Sequence, residues 1–411
     1  VKTSYPKSRI RAVLLEGVHP AAADALRAEG FQVESRPSAA DGPGLRDLLR
    51  GTHLLGIRSK TRLNPDVLDH ADRLLAIGCF CIGTDQVDLA HAESRGIPVF
   101  NSPFSNTRSV AELTIAQVIW LLRGVAEKNR LMHAGVWDKS AAGAHEVRGR
   151  TLGIVGYGHI GSQVSVLAEA LGMRVLYHDI APRLPLGNAR PVKSLNDLLR
   201  EADALTLHVP DTELTRRLIG APQLRRMKPG SVLINNARGS VVDLDALADA
   251  LRSRHLAGAA LDVFPHEPAA PGQSFDSPLR NLPNVILTPH VAGSTEEAQH
   301  AIALDVAEKL VRFVNVGSTR GAVNVPEVDL PEQPDSHARR HRILHFHRNV
   351  PGVLSRVHAA AADIGANIAA SYLRTTDRLG YVVLEVDPTD GSRLLSRLKR
   401  IPETIRARLL W

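Results

Sequence analysis

Four short segments place chemistry-bearing residues directly after apolar runs that read as strands. They are Asn235-Asn236-Ala237-Arg238-Gly239, Ala260-Leu261-Asp262-Val263-Phe264, His266-Glu267-Pro268 and Thr288-Pro289-His290. Open α/β sheets bind ligands at the carboxyl ends of their strands, so these segments should converge. An arginine at such a place can fork onto a carboxylate in two-point geometry. A histidine there titrates near neutral pH and can carry a proton. A fifth segment, Gly156-Tyr157-Gly158-His159-Ile160-Gly161, follows the strand-like run 151–155 and opens a helix. The first glycine permits the tight turn, the second lets backbone approach a pyrophosphate, and the third lets helix pack on strand. The helix N-terminus then offers N–H groups and positive dipole to phosphates. The next strand ends at Asp179, 18 residues beyond Gly161. An acid there meets ribose hydroxyls and repels a 2′-phosphate, which selects NAD over NADP.

The elements that must position these residues alternate. In the first hundred residues, strand-like runs at 11–15, 31–34, 53–57, 74–77 and 99–100 are separated by helical segments. The rhythm restarts at 151, with strands expected at 174–178, 204–209, 231–235, 257–262 and 285–288. Alternation of this kind implies parallel sheets covered on both faces, hence two doubly wound α/β domains. The segment 107–130 reads as one long helix without an internal proline, and 296–314 as a long amphipathic one. The stretch 326–341 holds three prolines, several charges and little apolar content, which marks a linker without a glycine pair. Beyond it, strand and helix signals fall in the order βαββαβ, the ferredoxin-like pattern. The expected division is a flavodoxin-like domain over 1–105 and 294–330, a Rossmann domain over 106–293, a linker at 331–339 and a small module over 340–411.

Composition narrows the function classes. The chain has 411 residues, 44% hydrophobic and 23% charged, enough apolar content for packed cores. No apolar run approaches the ~18 residues of a membrane helix, and no secretory signal is expected. The net charge of +7 is carried mostly by arginine. The densest cluster, Arg339-Arg340-His341-Arg342, lacks interleaved aromatics, so no nucleic-acid partner is expected. Cys79 and Cys81, the only cysteines, stand one residue apart. They read as core residues, not a disulfide framework, and fit a reducing cytoplasm. No metal site is expected.

Together, the GYGHIG loop, the NARG segment, the DVFPHEP run and the TPHVAG run resemble the D-isomer-specific 2-hydroxyacid dehydrogenase family. The runs 57–61 (IRSKT), 78–83 (GCFCIG) and 104–110 (FSNTRSV) resemble its phosphoglycerate-oxidising branch, whose bacterial members carry a C-terminal ACT domain. That resemblance implies NAD-dependent oxidation of D-3-phosphoglycerate to 3-phosphohydroxypyruvate, the opening step of L-serine biosynthesis. It implies His290 as the general acid/base, Glu267 as its carboxylate partner and Arg238 as the group that binds the α-carboxylate and polarises the C2 oxygen. His266, beside Glu267, is given no role.

The same resemblance implies a cofactor set of Gly156, Gly158, His159, Ile160, Gly161, Asp179, Asn236, Ala237, Arg238, Asp262, His290, Val291, Ala292 and Gly293, with Asp262 beside the nicotinamide carboxamide. Arg58, Ser59, Asn106 and Lys139 are the expected substrate-binding residues. In the small module, His347, Asn349 and Asn367 are the expected ligands of L-serine as an inhibitory effector. An asparagine offers both donor and acceptor to a zwitterion. A homotetramer is implied by resemblance alone. Two other readings remain open at this point: reduction of another 2-keto acid such as 2-oxoglutarate or hydroxypyruvate, and an NAD-sensing, corepressor-like binding protein, against which the small module argues.

Overall fold

The computed structural model describes residues 5–268, 272–331, 340–387 and 391–410. Most of the expected linker, 332–339, lies outside the described residues. The chain divides into two compact units, Val1–Ser105 with Gln299–Trp411, and Asn106–Ala298.

The first unit holds a five-stranded parallel sheet of β1 (Arg11–Leu14), β2 (Gln32–Ser35), β3 (Leu54–Ile57), β4 (Ala76–Cys79) and β5 (Val99–Asn101). Its order is β2-β1-β3-β4-β5. β3 and β4 are buried at every position, as continuous apolar runs must be when helices cover both faces.

The second unit holds a seven-stranded sheet whose neighbours all pair in parallel. Its strands are β6 (Thr151–Val155), β7 (Arg174–His178), β8 (Arg190–Pro191), β9 (Ala204–Leu207), β10 (Val232–Asn235), β11 (Gly258–Leu261) and β12 (Val285–Leu287). The order is β12-β11-β10-β9-β6-β7-β8. Its helices begin on residues chosen for the purpose. Ser194 and Asp243 each accept a backbone N–H at an N-cap.

The run 107–130 is not one helix. It forms two, Thr107–Leu122 and Val125–His133, bent by 72°. Gly124 stands between them at φ +62°, a left-handed conformation that ends the first helix without a Cβ clash. No single helix among the described residues is long and apolar enough to cross a membrane.

The C-terminal module is a four-stranded antiparallel sheet of β13 (His341–Arg348), β14 (Ile368–Thr375), β15 (Leu379–Val386) and β16 (Thr404–Leu410), in the order β14-β15-β13-β16. The ferredoxin-like expectation is borne out, as is the pair of doubly wound sheets. One face of the module's sheet packs on helices Val353–Ala362 and Gly391–Leu398. The other face does not look to solvent. Leu344, Phe346, Tyr381 and Leu410 share a core with Phe313 and Val314 at the end of helix Glu296–Val316. The module is therefore part of the first unit's body.

Arginines finish that junction. The last carbonyls of a helix have no intrahelical donor. Here Arg408 donates to the Phe313 and Val314 carbonyls at 2.8 and 2.9 Å, and Arg342 to the Val316 carbonyl at 3.0 Å. Burial pulls the Arg408 guanidinium down to about 10, still protonated at neutral pH. Arg342, almost wholly buried, also pairs with Glu385. Removing one partner of such a pair leaves an unmatched buried charge, which costs about 3–5 kcal/mol. Arg342→Ala is expected to lower the stability of the first unit by that amount, read as an earlier urea transition in far-UV circular dichroism.

Candidate active site

The carboxyl ends of β10, β11 and β12 are adjacent in the second unit's sheet. At the end of β10, Asn235 is fully buried and ties the next turn. Its Oδ1 accepts the Ala237 N–H at 3.1 Å and its Nδ2 donates to the Arg238 carbonyl at 3.0 Å. Gly239 must follow, because a Cβ there would stand 2.0 Å from the Phe264 carbonyl carbon. Arg238 is held half-buried by these constraints, with Nη1 donating to the Ala237 carbonyl at 2.8 Å.

After β11 comes Asp262, with no exposed surface. Its Oδ1 accepts from the Thr288 hydroxyl at 2.6 Å and the Val291 N–H at 2.9 Å. Its Oδ2 accepts the Ala292 N–H at 2.8 Å. The Asp262 carbonyl accepts the His290 N–H at 2.8 Å. One residue thus grips the whole turn 288–292. His290 sits in that turn at φ +55°, a strained backbone for a residue with a Cβ. Asp262, expected beside the nicotinamide carboxamide, is thus also the brace of this turn.

The turn presents the His290 ring to Glu267. Nδ1 and Glu267 Oε2 are 2.8 Å apart. The other carboxylate oxygen accepts the Phe264 N–H at 3.1 Å, which fixes the carboxylate. Nε2 is then the ring nitrogen that Glu267 does not engage. The hydrogen bond to Glu267 raises the imidazole pKa above its usual value, against an opposing effect of burial. The nearby charges of Glu267 and Asp262 add to the rise, and Arg238 opposes it. For Glu267, burial pushes upward, but the His290 and Phe264 hydrogen bonds and the charges of His290 and Arg238 outweigh it. Its pKa is lowered, so it stays ionised beside the imidazole. Arg238 acts electrostatically on both groups, so the three lie in one site. His266 is exposed and lies outside the pair.

The glycine loop has the shape that a dinucleotide requires. Gly156 is at φ +89°, and a Cβ there would meet the His208 carbonyl oxygen at 2.5 Å. A Cβ at Gly161 would lie 2.2 Å from the Gly156 carbonyl oxygen. At Gly158 it would meet nothing within 4 Å, so that backbone is open to approach from outside. Helix His159–Ala170 begins there. Asp179 lies beneath the loop, accepting the Tyr157 N–H at 2.8 Å and the Ala181 N–H at 2.8 Å. Burial holds the His208 ring neutral, with its pKa pushed down to about 3.

These features fit the NAD-binding domain of one enzyme family, and comparison with known proteins agrees. The family model for the D-isomer specific 2-hydroxyacid dehydrogenase NAD binding domain matches residues 115–292. A D-3-phosphoglycerate dehydrogenase of Haemophilus influenzae is 51% identical over the whole chain and 99% of that protein. One of Escherichia coli is 52% identical over the full length of both. The chain belongs to the D-isomer-specific 2-hydroxyacid dehydrogenase family.

It is an NAD-dependent dehydrogenase, and residues 343–406 match an AHAS small subunit-like ACT domain. Among solved structures, a protein from Thermus thermophilus aligns with a TM-score of 0.69 at 36% identity, covering 76% of this chain and all of that one. A D-lactate dehydrogenase from Aquifex aeolicus, complexed with NAD and lactic acid, aligns at 0.64 and 29% identity, covering 75% of this chain and 96% of that one.

The remaining expected site residues fall in several places. Asn236 is buried, and its Nδ2 donates to Thr114 and Gln117 of helix Thr107–Leu122 at 2.9 and 2.8 Å. Its side chain thus braces the helix through Nδ2. Ala237 and Ala292 are buried, Val291 is exposed, and Asn106 is packed against Gly293, where a Cβ would lie 2.1 Å from its Nδ2. Lys139 is exposed in the same unit. Arg58 and Ser59 follow β3 in the first unit, half-buried and exposed. In the ACT module, the His347 ring is buried in space left by Gly380, where a Cβ would lie 2.2 Å from Nε2. Asn349 and Asn367 are exposed. The residues missed from sequence are Asn235 and the bracing role of Asp262. Their signal was an uninterrupted apolar strand ending in a polar residue that cannot reach solvent.

The sign of the pH dependence follows from the raised imidazole pKa. With His290 as the expected acid/base, alcohol oxidation would need the neutral ring, so its kcat/KM should fall as pH drops through a value above the ordinary imidazole pKa. Carbonyl reduction needs the protonated ring and should fall as pH rises through it. Glu267→Gln removes the main cause of the rise. Its oxidation profile should bend at lower pH than that of the wild type, with a reduced plateau, in a kcat/KM titration.

Proposed function

We propose that the chain oxidises D-3-phosphoglycerate to 3-phosphohydroxypyruvate with NAD, the step that opens L-serine biosynthesis. The observation that carries this reading is the His290–Glu267 pair with Arg238 beside it, at the carboxyl edge of a sheet that also bears the glycine loop. Full-length similarity at about half identity to proteins named D-3-phosphoglycerate dehydrogenase supports the substrate.

Bound NAD supplies the hydride acceptor, and the chain's own residues do the rest. The glycine loop and Asp179 hold the dinucleotide. Arg238 binds the substrate α-carboxylate and orients the C2 oxygen, where its charge stabilises density building on that oxygen. His290 Nε2 takes the proton of the C2 hydroxyl. Glu267 keeps the Nδ1 proton in place and stabilises the imidazolium that results. In the reverse direction the same Nε2 returns the proton. Arg58 and Ser59, with Asn106 and Lys139, bind the substrate phosphate.

L-Serine is the effector of the ACT module, held by Asn349, Asn367 and His347. A route from that site into the first unit's sheet supports inhibition. Asn349 Nδ2 donates to the Thr376 carbonyl at 2.8 Å. The Thr376 hydroxyl donates to Glu93 at 3.2 Å, and Arg378 pairs with Glu93 at 2.9 Å. Glu93 belongs to helix Leu89–Ser94 of the parallel-sheet layer. A homotetramer is supported by the exposed apolar arm of Met132, Val136 and Trp137, the last 77% exposed. The two unpaired cysteines support a cytoplasmic setting.

The test follows NADH consumption with 3-phosphohydroxypyruvate, with and without L-serine. Rapid turnover is expected, with His290→Ala lowering kcat by roughly 10²–10⁴-fold. Saturating serine should suppress the wild type, and Asn349→Ala should be insensitive. Turnover of 2-oxoglutarate or hydroxypyruvate in preference to the phosphorylated acid would overturn the substrate reading.

A further inference from the structure

Glu16 is not used by the mechanism above, yet its placement is unusual. It follows β1 at that strand's carboxyl end and is almost wholly buried. Its backbone is left-handed, at φ +63°, and Gly17 continues at +61°. Non-glycine residues avoid that region, and strain of this kind persists where the surrounding structure over-determines it. Here two backbone bonds do so, from the Glu16 N–H to the Ser38 carbonyl and from the Gly17 N–H to the Arg36 carbonyl, both at 3.1 Å.

The sharp turn drops the Glu16 carboxylate onto the loop after β3. Oε2 accepts the Lys60 N–H at 2.9 Å, and Oε1 accepts the Thr61 N–H at 2.8 Å. On the other side, Gln86 Nε2 donates to the Arg58 carbonyl at 2.5 Å. The Phe80 N–H donates to the Ile57 carbonyl at 2.7 Å. The segment from Ile57 to Thr61 is thus pinned before and after Ser59. Hydrogen bonds to an ionised acceptor are about twice as strong as neutral ones, so the carboxylate is the firmest of these pins.

We infer that Glu16 is a positioning residue for the substrate phosphate: its carboxylate fixes the Lys60 and Thr61 amides and so holds Arg58 and Ser59 in their binding geometry. This rests on the reading of Arg58 and Ser59 as phosphate-binding residues. A loop held in place before binding spends no ordering entropy when the substrate arrives. Glutamine is nearly isosteric but presents an NH₂ group to one of the two amides. One charge-assisted bond is lost and one N–H is left facing a donor.

The experiment compares Glu16→Gln and Arg58→Ala with the wild type, using 3-phosphohydroxypyruvate and its unphosphorylated analogue hydroxypyruvate. For Glu16→Gln, KM for the phosphorylated substrate should rise about 10-fold, the equivalent of one such bond. Its kcat should stay within about twofold, because a positioning residue acts on binding. KM for NADH and kcat/KM for hydroxypyruvate should not move. Glu16→Asp, which keeps the charge on a shorter arm, should fall between the two. A merely structural role would instead lower kcat for both substrates along with the melting temperature, and would overturn the inference. An unchanged KM in Glu16→Gln, with a raised KM in Arg58→Ala, would also overturn it while leaving the phosphate reading intact. An unchanged KM in Arg58→Ala would overturn both. Should Glu16→Gln not fold, Glu16→Asp decides alone: a raised KM for the phosphorylated substrate only supports the inference, and an unchanged one defeats it.

Discussion

The site depends on one buried carboxylate. Asp262 receives the Thr288 hydroxyl and the Val291 and Ala292 amides, and its own carbonyl takes the His290 amide. A left-handed backbone at a non-glycine residue costs on the order of 1–3 kcal/mol. Hydrogen bonds to a charged group return roughly 1.5–3 kcal/mol each. The grip therefore outweighs the strain, and His290 can stand where an unsupported turn would relax. Everything chemical follows from that. The turn sets the ring against Glu267, Glu267 sets the tautomer and raises the pKa, and Nε2 is the nitrogen left for the proposed proton transfer.

The same device recurs at other strand ends of the two parallel sheets. Asp179 receives the Tyr157 amide under the glycine loop, and Glu16 receives two amides of the loop after β3. Asp203 receives the Thr151 amide at the start of β6, at 2.8 Å. Strand ends leave amides without partners, and a carboxylate can serve two at once. There is an electrostatic benefit for an enzyme of anions. These acids direct part of their charge at backbone dipoles, and in the proposed reaction Arg238 and Arg58 meet the anionic substrate.

How much of this was legible in the sequence depends on range. The glycine loop, the strand-end segments and the βαββαβ order are local patterns, and the structure follows them. The break at Gly124 was also local, but the absence of proline masked it, since a left-handed glycine ends a helix equally well. Asp262 looks like any acid after a strand. Only the closure of turn 288–292 over it, across the β11–β12 pairing, reveals that it braces the turn. Glu16 is hidden for the same reason, because its partners lie more than forty residues away. The arginines of β16 carry no local signal of their role, yet Arg408 is half-buried and donates to the last turn of a helix that ends 92 residues earlier.

That last contact bears on how an effector could act. Allostery requires two states that both sites bias. A module tethered by a linker could change state by swinging. This module instead shares a core with helix Glu296–Val316, has its arginines on that helix's final carbonyls, and reaches Glu93 through Thr376 and Arg378. Breaking that junction would strand buried guanidinium groups without acceptors, an expensive state. In the proposed regulation, serine near Asn349 would act through the hairpin turn 376–378 and helix Leu89–Ser94, which join the module to the parallel-sheet layer.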